Sequence, residues 1–214
     1  MKRAIIILNG RMTCNNEFYK NYIKEEDDIF CADGGSNYAY ELKLNPKLIL
    51  GDLDSIKENV LNYYKKEEIE FKKYPTEKDK TDTELIIEEV ENLKKYNEII
   101  ILGGLGGRVD HTLANIQLLE KYKDIKFINS KEEIELLENE KKILINKTNK
   151  TISLIPISEK VEVKKLVGFK YDGENLIFER GNSLGISNVV EKDEAKIDIK
   201  KGKILLIINR KKEM

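Results

Sequence analysis

The chain has 214 residues with 38 Lys plus Arg against 39 Asp plus Glu, a formal net charge of -1 that excludes the polycationic surface needed to hold duplex nucleic acid. With 40% apolar residues it can bury a sizeable core, as one large domain or two small ones. The two cysteines, Cys14 and Cys31, stand in no CxxC or Cys/His grouping, which excludes a zinc site and a disulfide framework and leaves two reduced thiols as the expectation.

The N-terminal "MKRAIIILNG" opens with an apolar run, Ala4 to Leu8, too short for a signal-peptide core or a membrane span, so a cytoplasmic, soluble protein is expected. Short Ile-rich runs then alternate with stretches of helical period. In order they are "AIIIL", "NEFYKNYIK", "DIFCA", "SNYAYELK", "KLIL", "IKENVLNYYKK", "IEFKKY", "TDTELIIEEVENLKKY", "EIIIL" and "HTLANIQLLEKY". Strand and helix in alternation predict an α/β fold, a mostly parallel sheet with flanking helices. From about residue 130 the helical spacing stops, and "KKILIN", "TISLIPI", "VEVKKLVGF", "NLIFER", "AKIDIK" and "KILLIIN" follow one another between polar turns. They predict a smaller, sandwich-like all-β domain. The edge between the two is expected in the Lys-rich segment after Asn139, giving domains 1–140 and 141–214.

In an open parallel sheet, ligands gather outside the carboxyl ends of the strands. Asp33 follows "DIFCA" and leads into Gly34 and Gly35; Asp52 and Asp54 follow "KLIL"; Asp79 and Asp82 lie in "EKDKTDTE"; Asp110 follows "EIIIL" and "GGLGGRV". Helix capping accounts for some of these polar residues. Ser55 with Glu58 and Thr81 with Glu84 fit capping boxes, and Asp110 fits the cap of a helix beginning near His111. Asp52 and Asp54 are left over, and close carboxylates are costly unless a cation lies between them. A hard divalent ion such as Mg²⁺, bound through oxygens, would relieve that cost.

"DGGS" and "GGLGG" place glycine at strand ends, where backbone amides can approach phosphate oxygens or where the chain simply turns tightly. Neither a P-loop nor a G-x-G-x-x-G fingerprint is present. Arg108 offers a fork for phosphate or a partner for a neighbouring carboxylate. His111 is the only histidine, which excludes His-pair metal sites, and no nucleophile stands in an activating context.

Taken in order, "ADGGSN" (32–37), "GDLDSI" (51–56), "EKDKTDTEL" (77–85), "GGLGGRVDHTLANI" (103–116) and "NSLGISN" (182–188) resemble the thiamine pyrophosphokinase family over nearly the whole chain. The resemblance implies an α/β domain joined to a β-sandwich, a homodimer, and Mg²⁺-dependent transfer of a pyrophosphoryl group from ATP to the hydroxyl of thiamine, releasing AMP. By matching position it implies that Asp52, Asp54 and Asp82 hold the metal, with Asp79 beside them in the catalytic group. It places Asp33, Gly34, Gly35, Arg108, Asp110 and His111 on the ATP side and Ser187 and Asn188 on the thiamine side. The chain has no Trp to stack on thiamine; Tyr171 and Phe178 are the substitutes, each with a core role as the alternative. The D-x-D pair alone also suits a metal-dependent glycosyltransferase, or a nucleotide or thiamine sensor in which the carboxylates only hold metal.

Overall fold

The computed structural model describes residues 2–12, 16–75, 77 and 79–210. Cys14 lies outside the described residues, while Cys31 is a buried free thiol, pushed well above the ordinary thiol range by burial. Two compact units are present, Met1–Ser130 and Lys131–Met214. The division falls before the expected edge at residue 140.

The first unit holds strands β1 (Arg3–Ile7), β2 (Asp28–Ala32), β3 (Leu48–Gly51), β4 (Glu70–Lys73), β5 (Glu98–Leu102) and β6 (Ile125–Ile128). Between them run helices α1 (Asn16–Tyr22), α2 (Gly35–Glu41), α3 (Glu58–Lys66), α4 (Asp82–Asn92) and α5 (Val109–Lys121). The strands pair in parallel in the order β6-β5-β1-β2-β3-β4. Strands covered on both faces are largely apolar, and β2 and β3 are buried at every position, with Asp28 the one charged residue among them. From β1 the chain steps outward through β2, β3 and β4, then crosses back to place β5 on the other side of β1. The strand order therefore reverses between β1 and β5.

Helix starts differ in part from the expected caps. Thr81 caps α4, its hydroxyl accepting the Glu84 amide at 3.2 Å. The Ser55–Glu58 box does not form, because α3 begins at Glu58 itself with Lys57 as its extended N-cap, and Ser55 Oγ instead donates to Asp54 Oδ1 at 3.0 Å. Arg108 precedes α5, so Asp110 sits inside the first turn and accepts the His111 amide at 2.9 Å.

The second unit contains β7 (Glu132–Glu138), β8 (Lys141–Ile145), β9 (Thr151–Pro156), β10 (Lys160–Val167), β11 (Gly173–Glu179), β12 (Asn188–Val189), β13 (Glu194–Lys201) and β14 (Lys203–Asn209). Two antiparallel sheets, β12-β9-β14-β7 and β11-β10-β13-β8, close over one core that includes Leu154, Val163, Phe178, Ile197 and Leu206. Alternating burial along β13 supplies that core from every second residue. Strand β7 escapes an apolar pattern because Glu133 and Glu135 are buried in it. Lys142 reaches Glu135 at 2.7 Å, and Arg210 reaches Glu133 at 3.3 Å.

At the amino edge of the parallel sheet, the buried Asp28 receives Lys2 at 2.8 Å, Lys47 at 2.9 Å, Lys95 at 3.3 Å and the Tyr96 hydroxyl at 2.7 Å. Burial raises the Asp28 carboxyl, but these donors outweigh it and leave the group well below the ordinary carboxylate range. A depressed carboxyl contributes stability that is complete above its unfolded value of about 4 and fades as pH falls through the folded one. Asp28→Asn should therefore cost about 1–3 kcal/mol at neutral pH and flatten the loss of stability below about pH 4, read from urea unfolding across pH.

Helix α2 packs directly on β1. A Cβ on Gly35 would lie 2.1 Å from the Ile7 carbonyl oxygen, whereas one on Gly106, in the loop after β5, would meet nothing within 4 Å. Gly106 needs glycine for its φ of 87° alone. Gly35→Ala should thus cost about 3 kcal/mol or more and Gly106→Ala only about 1–2 kcal/mol, compared by thermal unfolding.

Candidate active site

A cleft of about 460 Å³ opens at the carboxyl ends of β1, β2 and β5, where the strand order reverses. Its walls are the loop Leu8 to Arg11 after β1, Asp33 after β2, Thr81 to Thr83 at the start of α4, and the glycine loop running from Gly103 to Arg108. The loops after β1 and β5 meet backbone to backbone: a Cβ on Gly10 would lie 2.0 Å from the Gly103 carbonyl oxygen. Asn115, buried on α5, donates from Nδ2 to the Gly104 carbonyl at 2.9 Å and fixes the base of the glycine loop.

Three of the expected acids converge beside this cleft. One carboxylate oxygen from each of Asp33, Asp52 and Asp54 lies within 4.8 Å of the others. Two left-handed residues bring them there. Asp33 itself has φ 45°, which Asp tolerates, and its amide still bonds the Leu50 carbonyl at 2.8 Å. Leu53, between the other two acids, has φ 70°, a conformation costing about 1–2 kcal/mol for an L residue. Packing of the Leu53 side chain against the core offsets that cost. The Asp54 amide then bonds Asp52 Oδ1 at 3.3 Å, closing the turn.

Asp33 is buried, Asp52 half-buried and Asp54 exposed, so the trio runs from the sheet out to solvent. Asp33 Oδ1 is buried with no hydrogen-bond partner among the described residues. Burial lifts the Asp33 carboxyl above its ordinary value; hydrogen bonds from Ser55 and the Gly34 amide oppose the rise, and the Asp52 charge adds to it. Like charges at such separations repel by about 1 kcal/mol in water and about 3–4 kcal/mol at an effective dielectric of about 20. Hard oxygen donors of graded burial, one of them orphaned, fit a divalent cation such as Mg²⁺. Asp82 stands at the first position of α4 and lines the cleft together with Asp33, outside the trio, and Asp79 is exposed in the preceding loop.

Arg108 and His111 line the same cleft. The guanidinium of Arg108 makes a two-pronged pair with Asp110, at 3.1 and 2.6 Å, so the ion-pair alternative for Arg108 is realised. That pair and the His111 amide hold the Asp110 carboxyl down at about 2. Gly34 and Gly35 serve close packing: a Cβ on Gly34 would lie 2.3 Å from Asn9 Oδ1.

In the β unit, Ser187 is exposed with φ 58°, and its amide donates to Ser153 Oγ at 3.1 Å. Asn188 is buried, accepting the Tyr171 amide at 3.0 Å and donating to the Tyr171 carbonyl at 3.0 Å. Its side chain thereby holds the turn that presents Tyr171, which is 61% exposed, whereas Phe178 is 2% exposed and belongs to the core.

Asn9, Arg11, Thr83 and Asn115 also line the cleft without having been singled out in the sequence. Asn9 and Arg11 directly follow the first apolar run, and the strand-end rule applied to the other strands would have found them. Asn115 carries no such signal, since its partner is a backbone carbonyl.

Comparison with known proteins agrees with this architecture. Residues 19–129 match the family described as thiamin pyrophosphokinase, catalytic domain, and residues 134–204 the family described as thiamin pyrophosphokinase, vitamin B1 binding domain. The thiamine pyrophosphokinase of Bacillus subtilis is 33% identical over 184 residues, covering 82% of this chain and 84% of that protein. Crystal structures of the thiamine pyrophosphokinases from Bacillus subtilis and Geobacillus thermodenitrificans superpose with TM-scores of 0.87 and 0.86 at 26% and 25% identity. The first comparison covers 99% of this chain and 100% of that one, the second 100% and 99%. With both of its units matched in order and a relative of this identity over four-fifths of its length, the chain belongs to the thiamine pyrophosphokinase family.

Proposed function

We propose that this chain transfers the pyrophosphoryl group of ATP to the hydroxyl of thiamine, giving thiamine diphosphate and AMP, with Mg²⁺ as its cation. The observation that carries this reading is the carboxylate trio beside a cleft at the strand-order reversal, where a parallel sheet receives a nucleotide. Family membership supplies the substrates.

Asp33, Asp52 and Asp54 would hold the cation, with Asp82 facing the same cleft. When bound, such a cation neutralises charge on the phosphoryl oxygens and on the departing AMP. Phosphoryl-type transfer depends chiefly on alignment, which here falls to rigid loops: Gly10 against Gly103, Asn115 on Gly104, and Asp33 tied to Leu50. The first unit is the ATP and cation side. The β unit is the thiamine side, through Ser187, the Tyr171 turn that Asn188 holds, and dimerisation. Homodimeric assembly and a cytoplasmic location complete the proposal; among the described residues no helix is long and apolar enough to cross a membrane.

Protein incubated with ATP, Mg²⁺ and thiamine should give AMP and thiamine diphosphate in equal amounts when the products are resolved by mass. Thiamine phosphate with ADP, or no AMP from folded protein, would exclude the reading. Asp54→Asn should lower turnover by about a hundredfold or more and abolish the rise in unfolding temperature that Mg²⁺ confers, while leaving the metal-free unfolding temperature close to wild type. Asp54 is exposed, so its charge can be removed without opening the core.

A further inference from the structure

We infer that Arg11 is the side chain that grips the terminal phosphates of the nucleotide, an inference that rests on the pyrophosphokinase reading above. Arg11 lines the cleft from the loop after β1. The position of that loop is fixed by the residue before it, because Gly10 lies so close to the Gly103 carbonyl that a Cβ there would approach to 2.0 Å. The loop therefore delivers Arg11 to the cleft opposite the glycine loop.

Charge accounting assigns the role. The cleft and its margin carry Asp33, Asp52, Asp54 and Asp82, and one divalent cation leaves this group net negative. A triphosphate tail brings further negative charge and needs a cation of the protein's own. Arg108, the other arginine on the wall, is committed through both prongs to Asp110. Lys80, just before Thr81, is committed to both oxygens of Glu88, at 2.8 and 2.7 Å. Arg11 is exposed and forms no ion pair among the described residues, so its whole fork is available. A planar guanidinium suits two phosphate oxygens at once, which an ammonium does only as a point charge.

The test measures Mg²⁺-ATP and AMP binding to the full chain by calorimetry, for wild type, Arg11→Ala and Arg11→Lys. Arg11→Ala should weaken ATP by about tenfold and Arg11→Lys by about threefold, with AMP, which lacks the two terminal phosphates, unchanged within about twofold. In turnover assays the ATP KM should rise while the thiamine KM stays put. Unchanged ATP affinity in Arg11→Ala would overturn the inference, as would an equal loss for AMP, which would mean that the cleft itself had been disturbed. Wild-type protein that binds no ATP at all would instead overturn the reading beneath it, and this one with it.

Discussion

Everything at the carboxyl edge of the parallel sheet turns on the repulsion among Asp33, Asp52 and Asp54. Three carboxylates within 4.8 Å of one another raise the energy of the folded chain unless positive charge enters among them. The chain accepts that energy twice over, since the turns that assemble the trio also place Asp33 and Leu53 in left-handed backbone. A fold that tolerates both strain and repulsion at one point is organised around what binds there. Burial sharpens this, because a cation held against Asp33 meets an oxygen that no donor among the described residues has claimed.

Rigid backbone makes such a cluster usable. Long side chains such as Arg11 and Arg108 stand on the cleft walls, but close backbone contacts set the frame beneath them. Gly10 is set against Gly103, and Gly35 against Ile7, at separations too small for any Cβ. These contacts tie the loops after β1, β2 and β5 to the two central strands, so that the acids, the glycine loop and the start of α5 share one frame. Gly106 and Gly107, with open space around them, stand clear of it, and they lead to Arg108 at the mouth.

Much of this was legible in the sequence. "AIIIL", "DIFCA", "KLIL" and "EIIIL" announce parallel strands because both faces of each are covered, which forces unbroken apolar runs. The acids could be placed at strand ends for the same reason. What could not be read is which acids meet. The family resemblance groups Asp82 with Asp52 and Asp54; in space Asp33 also joins those two, while Asp82 faces the same cleft, and the approach of Asp33 depends on left-handed turns that neither Asp nor Leu announces. The Ser55–Glu58 spacing misleads for a related cause: a capping box requires the helix to start just after the serine, and α3 starts later. In β7, buried glutamates matched by Arg210 and Lys142 hide a strand behind a charged pattern.

The two edges of the same sheet show how a buried carboxylate reveals its purpose. Asp28 and Asp33 lie at opposite ends of β2, and both are buried. At the amino edge Asp28 is surrounded by three ammonium groups and a phenol, and its proton affinity falls far below the ordinary range. At the carboxyl edge burial, with the Asp52 charge beside it, raises the proton affinity of Asp33, and one of its oxygens has no hydrogen-bond partner among the described residues. Had Asp33 served only to hold the fold, selection for stability would favour a lysine or arginine beside it, as the lysines stand beside Asp28. Asp33 instead receives only neutral donors, from Ser55 and the Gly34 amide, and its Oδ1 has no partner among the described residues, so a cation from outside the chain meets an acceptor ready for it.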